Sequence, residues 1–93
     1  MDDRAIQDGL ILATGKLIAR ERSQRGWSRR ELARRIGTDV MTIVGYEEGR
    51  MKYGHRFDIL VRLAIVLELP LEELLRHYVQ YVHMVVQTPH TRT

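Results

Sequence analysis

The chain contains no cysteine, which excludes a disulfide scaffold and any zinc site built on thiolates. No apolar run approaches the roughly 20 residues that a membrane-spanning helix needs. Asp2, Asp3 and Asp8 put the wrong charge near the N-terminus for a signal or transit peptide, so a cytoplasmic protein is the expectation. Serine is scarce: Ser23 lies among basic residues and Ser28 reads as a helix cap. His55, His77, His83 and His90 show no i, i+4 pairing with an acid of the zinc-hydrolase kind. No glycine-rich phosphate loop is present. The adjacent Glu72 and Glu73 read as the acidic first turn of a helix, favoured there by its dipole, rather than as an acid–base pair. No enzyme, metal site or cofactor is expected. With no repeat, low-complexity run or linker, residues 1–93 read as one domain.

Positive charge is present, and it is concentrated. Residues 16–62 carry 12 Lys and Arg against 6 Asp and Glu, whereas the segments on either side are slightly acidic. A basic zone between neutral or acidic ends fits a face that meets a polyanion, although a solvated surface has the same composition.

The basic zone also holds the clearest structural signal, residues 27–50. Ser28 precedes a helical pattern and Glu31 follows three residues later, the spacing of a capping box. Leu32, Ala33 and Ile36 share one face, and Gly37 is placed to end the helix with a positive φ. Asp39 then caps a second helix that buries Ile43 and Tyr46 and ends at Gly49. Two short helices joined this tightly have helix-turn-helix geometry, in which the second helix can lie in a DNA groove.

Three more helices are predicted. The first spans about Ala5 to Arg25, with Ile11, Ile18 and Arg22 on one side. Gly9 and Gly15 weaken it, so its beginning is expected to form a separate turn or to fray. The fourth runs from about Arg56 to Leu67, turning Phe57, Leu60, Leu63, Ala64 and Leu67 inward. Pro70 opens the fifth, where its missing N–H costs nothing, and Leu71, Leu74 and Leu75 close the core. Residues 78–87 continue the helical spacing but are rich in aromatic and β-branched types, so helix and strand both remain open. Their apolar side chains exceed what a small domain can bury, and such surplus marks an interface. The expected division is a core at about 14–77 and an extension at 78–93 for oligomerisation through Tyr78, Val82, Met84, Val85 and Val86.

From about Leu17 to Leu75 the chain resembles the Cro/C1-type helix-turn-helix family, the lambda-repressor-like or XRE-type domain. The resemblance rests on S-x-x-E-L-A at 28–33, Gly37, Ile43, Glu47 with Gly49, and LAIVLELPLEELL at 63–75. It implies an all-α, five-helix domain, to which residues 78–93 add the apolar C-terminal extension read from their own composition. It also implies a structural salt bridge between Arg22 and Glu47, and a phosphate contact from Arg29. Bases would be faced by Val40, Met41, Val44 and Gly45, and the backbone met through Arg50, Lys52, His55 and Arg56.

The chain departs from the family where bases would be read. Val40, Met41, Val44 and Gly45 include none of the residues that make bidentate contacts to base edges. Three readings stay open: binding through phosphates and DNA shape, reading of thymine methyls with polar help from Thr42 or the loop, or contact of this apolar face with a protein. The loop after Gly49 is longer than in typical members, and Glu68 replaces the usual glycine after helix four, where a positive φ is expected at a cost of about 1 kcal/mol. Trp27 fits an apolar plug better than a base-stacking residue. The expected function is a sequence-specific DNA-binding transcriptional regulator, a repressor-type protein acting as a homodimer on double-stranded DNA, with helix 39–48 in the major groove. The alternative is an antitoxin of a toxin–antitoxin pair, or an adaptor using the apolar helix-three face with a toxin or other regulator as partner.

Overall fold

The structure is a computed structural model and describes residues 3–50 and 56–76. Four helices lie within that range: α1 (Asp3–Gln24), α2 (Arg29–Ile36), α3 (Val40–Glu47) and α4 (Phe57–Val66). Residues 71–76 are helical and begin α5. No strand occurs among the described residues. Residues 78–93, and Lys52 and His55 in the loop, lie outside them.

The core is an aliphatic cluster fed by every helix. Ile18 comes from α1, Leu32, Ala33 and Ile36 from α2, and Ile43 and Tyr46 from α3. Ile59, Leu60, Leu63 and Ala64 come from α4, followed by Leu67, and Leu74 enters from α5. Leu71 and Leu75 pack at its edge. Each fully buried aliphatic side chain contributes about 1.5–3 kcal/mol through water exclusion, before conformational entropy is set against it.

Local chemistry ends the helices as well as starting them. The Ser28 hydroxyl accepts the Glu31 amide at 3.0 Å and caps α2. The expected reciprocal half of the capping box does not form, because the Glu31 carboxylate is taken up by Arg34 and Arg35 at 2.6 and 2.7 Å. Asp39 caps α3 by accepting from the Thr42 amide at 2.8 Å. Helices α1 to α4 all end in one kind of turn, a 6→1 backbone hydrogen bond around a residue of positive φ. The bonds run from Trp27 to Arg22, Thr38 to Ala33, Arg50 to Gly45 and Leu69 to Ala64, at 2.9–3.2 Å. Gly26, Gly37 and Gly49 supply the positive φ in three of them, and Glu68, at φ 55°, in the fourth. Glu68 therefore keeps the usual shape of this turn and bears the steric cost of its Cβ.

Two further expectations are corrected. Phe57 does not face inward but is 62% exposed. Its core place is taken by Ile59, because α4 starts at Phe57 itself and the inward stripe is 59, 60, 63, 64 and 67. Nor does α1 begin as a separate turn: it is continuous through both glycines. At Gly15 a Cβ would lie 2.1 Å from the Tyr46 carbonyl oxygen and 2.8 Å from that of Glu47. Gly15 is thus the point where α1 touches the backbone at the end of α3, and helix propensity gives way to packing.

The two glycines of α1 give opposite predictions. A Cβ at Gly9 meets nothing within 4 Å, so Gly9→Ala should stabilise the fold by about 0.5–1 kcal/mol through helix propensity. Gly15→Ala gains the same propensity but must force α1 from α3, and should destabilise by about 2–3 kcal/mol. Urea melts of the two variants measure this, and a stabilised Gly15→Ala would disprove the close approach.

Candidate nucleic-acid interface

Helix α3 is held by its buried face and by its last residue. Ile43 and Tyr46 are fully buried, and the Tyr46 hydroxyl accepts the Arg56 amide at 3.0 Å, joining α3 to the start of α4. Glu47 is the second anchor. Its side chain is only 1% exposed, and a carboxylate so buried must be paired. Arg22 supplies a fork, donating from Nε to Oε2 at 2.6 Å and from Nη2 to Oε1 at 3.0 Å. Arg29 adds a third bond, Nε to Oε1 at 2.8 Å. Arg22 Nη1 also donates to the Trp27 carbonyl at 2.8 Å. One carboxylate therefore ties the end of α1, the entry to α2 and the end of α3 together.

The structure brings Arg22 and Glu47 into contact, and adds a partner that spacing alone did not point to. Arg29, expected to be free for phosphate, is engaged: besides Glu47 it donates from Nη1 to Glu48 Oε2 at 3.2 Å. The Glu47 hydrogen bond holds its guanidinium above its ordinary pKa. Its side chain remains 36% exposed, so it faces solvent at the edge of α3 while bonded to the acids behind it. Arg50 pairs with Glu48 at 2.7 Å, and Arg56 with Asp58 at 2.7 Å. Arg30 is exposed and makes no ion pair or side-chain hydrogen bond among the described residues.

The outward face of α3 is apolar. Met41 is 65% exposed and dominates it. Val44 and Gly45 are half-buried beside it. Val40 packs partly on the core, so less of it is left for a base than the family pattern implies. The Thr42 hydroxyl donates to Asp39 Oδ1 at 3.0 Å, which leaves its oxygen as an acceptor. The Thr42 bonds, backbone first, hold the Asp39 carboxyl below the usual carboxylate range. With its folded pKa depressed, the cap stabilises at neutral pH and its contribution is lost as pH falls through that lowered value. Trp27 is partly buried against the core, and its ring lies 4.0 Å from Arg35 and 5.8 Å from Arg25. It is a packing residue, as its position suggested.

Two short capped helices joined by a tight turn, the second packed on the core by one face and open on the other, make a helix-turn-helix. The Helix-turn-helix family profile matches residues 18–74, more than half of the chain. The chain belongs to the Cro/C1-type helix-turn-helix family of DNA-binding regulators. No curated protein and no solved structure matches it. Among the described residues no helix is long and apolar enough to cross a membrane.

The clamp on Glu47 makes a measurable prediction. A buried ion pair adds little net stability, but deleting one partner strands a charge, at about 3–5 kcal/mol. Because Arg29 would still hold one oxygen, Arg22→Ala should cost about 2–4 kcal/mol. In a double-mutant cycle with Glu47→Ala, denaturant melts should show coupling of about 1–3 kcal/mol. Simple additivity would mean that the two side chains do not support each other.

Proposed function

We propose that the protein is a sequence-specific transcriptional regulator that binds double-stranded DNA as a homodimer, with α3 in the major groove. The observation that supports this best is the placement of α3, which is fixed from behind by Glu47, leaves Met41 exposed and carries Arg29 and Arg50 at its C-terminal end through Glu48. In this reading the arginines, with Lys52 and His55 of the loop, meet phosphates and set the register. Met41, Val44 and the Thr42 methyl contact thymine methyl groups, and Gly45 lets the helix approach closely. Such a face offers few hydrogen bonds to base edges, so DNA shape carries a large share of the selectivity. One helix of this kind makes few base contacts. A dimer doubles them and spaces its half-sites near one helical turn, about 34 Å. A repressor role fits a small domain of this kind that blocks a site by occupying it.

The exposed Met41 also favours a second reading, in which the α3 face meets a protein, as in an antitoxin bound to its toxin or an adaptor bound to another regulator. Selection from random duplex DNA separates the two: a recurrent two-fold sequence supports the regulator, and no enrichment supports the protein contact. With about four phosphates met per protomer, log K should fall with log salt at a slope near −7 per dimer. Binding that is flat between low and moderate salt would contradict the electrostatic role of the arginines.

The dimer contact is assigned to Tyr78, Val82, Met84, Val85 and Val86, an apolar run in the sequence beyond the five-helix core that the helical spacing predicts to end near Leu75. Burying that area would contribute roughly 25 cal/mol per Å² before the costs of association. A chain stopped after His77 should be folded, monomeric and weaker in DNA binding by orders of magnitude. Light scattering reads the result, and a truncated chain that is still dimeric places the interface elsewhere.

A further inference from the structure

Glu48 sits where it helps neither its helix nor a DNA contact. It is the C-cap of α3, directly after Glu47, and the last turn of α3 holds no basic residue. An acid at this end meets the negative pole of the helix dipole. It is also an anion on the face presented to a polyanion. What it does in the structure is bridge two cations. Its Oε1 lies 2.7 Å from Arg50 Nη2 and its Oε2 lies 3.2 Å from Arg29 Nη1. The two non-bridging oxygens of a phosphodiester would engage a pair of guanidinium groups in the same way.

We propose that Glu48 is an intramolecular stand-in for DNA phosphate, occupying Arg29 and Arg50 together and holding down binding to DNA of any sequence. The proposal rests on the reading of α3 as a DNA-binding helix. Glu48 and Arg50 are exposed, at 41% and 61%, and Arg29 is partly exposed, at 36%. Exposed ion pairs of this kind are individually weak, so a phosphate can displace the carboxylate. Glu48 is then a brake rather than a block. Each encounter with DNA must break two pairs to make two phosphate contacts, so fewer counterions are exchanged in net terms. A cognate site, with its additional contacts to the α3 face, overcomes the brake, whereas DNA offering phosphates alone does not. Glu47 is excluded from this role by its burial, since it is closed to any competitor.

The test is Glu48→Gln, which keeps size and removes the charge. Its affinity for a random-sequence duplex should rise about 3- to 10-fold at moderate salt, the equivalent of two weak surface pairs. The salt slope should steepen by about 1 to 2 per protomer. The gain should shrink when Glu48→Gln is made in an Arg50→Ala background, and again in an Arg29→Ala background, with a thermal melt confirming that each variant is folded. Unchanged or weaker binding would overturn the proposal, because Glu48 would then be holding the arginines ready for phosphate. A gain that persists in full in both backgrounds would also overturn it, leaving only diffuse repulsion. Retention on immobilised heparin is measured in parallel. If the unmodified protein binds no duplex but Glu48→Gln elutes from heparin at higher salt, and that shift shrinks in the Arg29→Ala and Arg50→Ala backgrounds, the DNA reading fails and the shielding of the arginines stands. If neither polyanion distinguishes the variant, the shielding itself is refuted.

Discussion

The placement of α3 depends most on one carboxylate. Glu47 is buried at the end of α3, and a buried carboxylate is tolerated only with its oxygens saturated. The partners that saturate it come from two other elements, Arg22 from α1 and Arg29 from α2. That requirement converts a short helix, too short to be stable alone, into one with a defined orientation. Hydrophobic burial of Ile43 and Tyr46 keeps α3 on the core, but apolar contact is non-directional. The guanidinium fork supplies the direction.

The close approach of α1 to α3 belongs to the same arrangement. Arg22 can reach Glu47 in a bidentate geometry only if the two helices cross closely, and Gly15 lets them do so by presenting no Cβ to the Tyr46 and Glu47 carbonyls. Tyr46 continues the chain of support by accepting the Arg56 amide and so fixing where α4 begins. Glu68 shows the cost of holding a turn shape without glycine. It adopts φ 55° in the turn that Gly26, Gly37 and Gly49 make elsewhere.

Much of this was legible in the residues. The caps Ser28 and Asp39, the stops Gly37 and Gly49, and the stripe Leu32, Ala33, Ile36 follow from local chemistry and period, and the helices stand where these place them. What was not legible depends on contacts between elements. Nothing in the spacing of Gly15 shows that it faces a carbonyl, so it read as a weakness in α1. Phe57 read as core by its chemistry, whereas the start of α4 turns it outward and gives its place to Ile59. Arg29 read as a free cation, because its distance in sequence from Glu47 gives no hint of their meeting. The family pattern pointed to the pair Arg22–Glu47, and the three-way clamp needed coordinates.

We propose that α3 and its neighbouring arginines form the surface that meets DNA. Titration of isotope-labelled protein with a short duplex, followed by amide chemical shifts, tests it most directly. Shifts should concentrate at residues 29–31, 40–45, 50 and 56, while 71–76 stay still. Shifts centred instead on the exposed side of α4, around Phe57 and Ile65, with α3 unmoved, would contradict it.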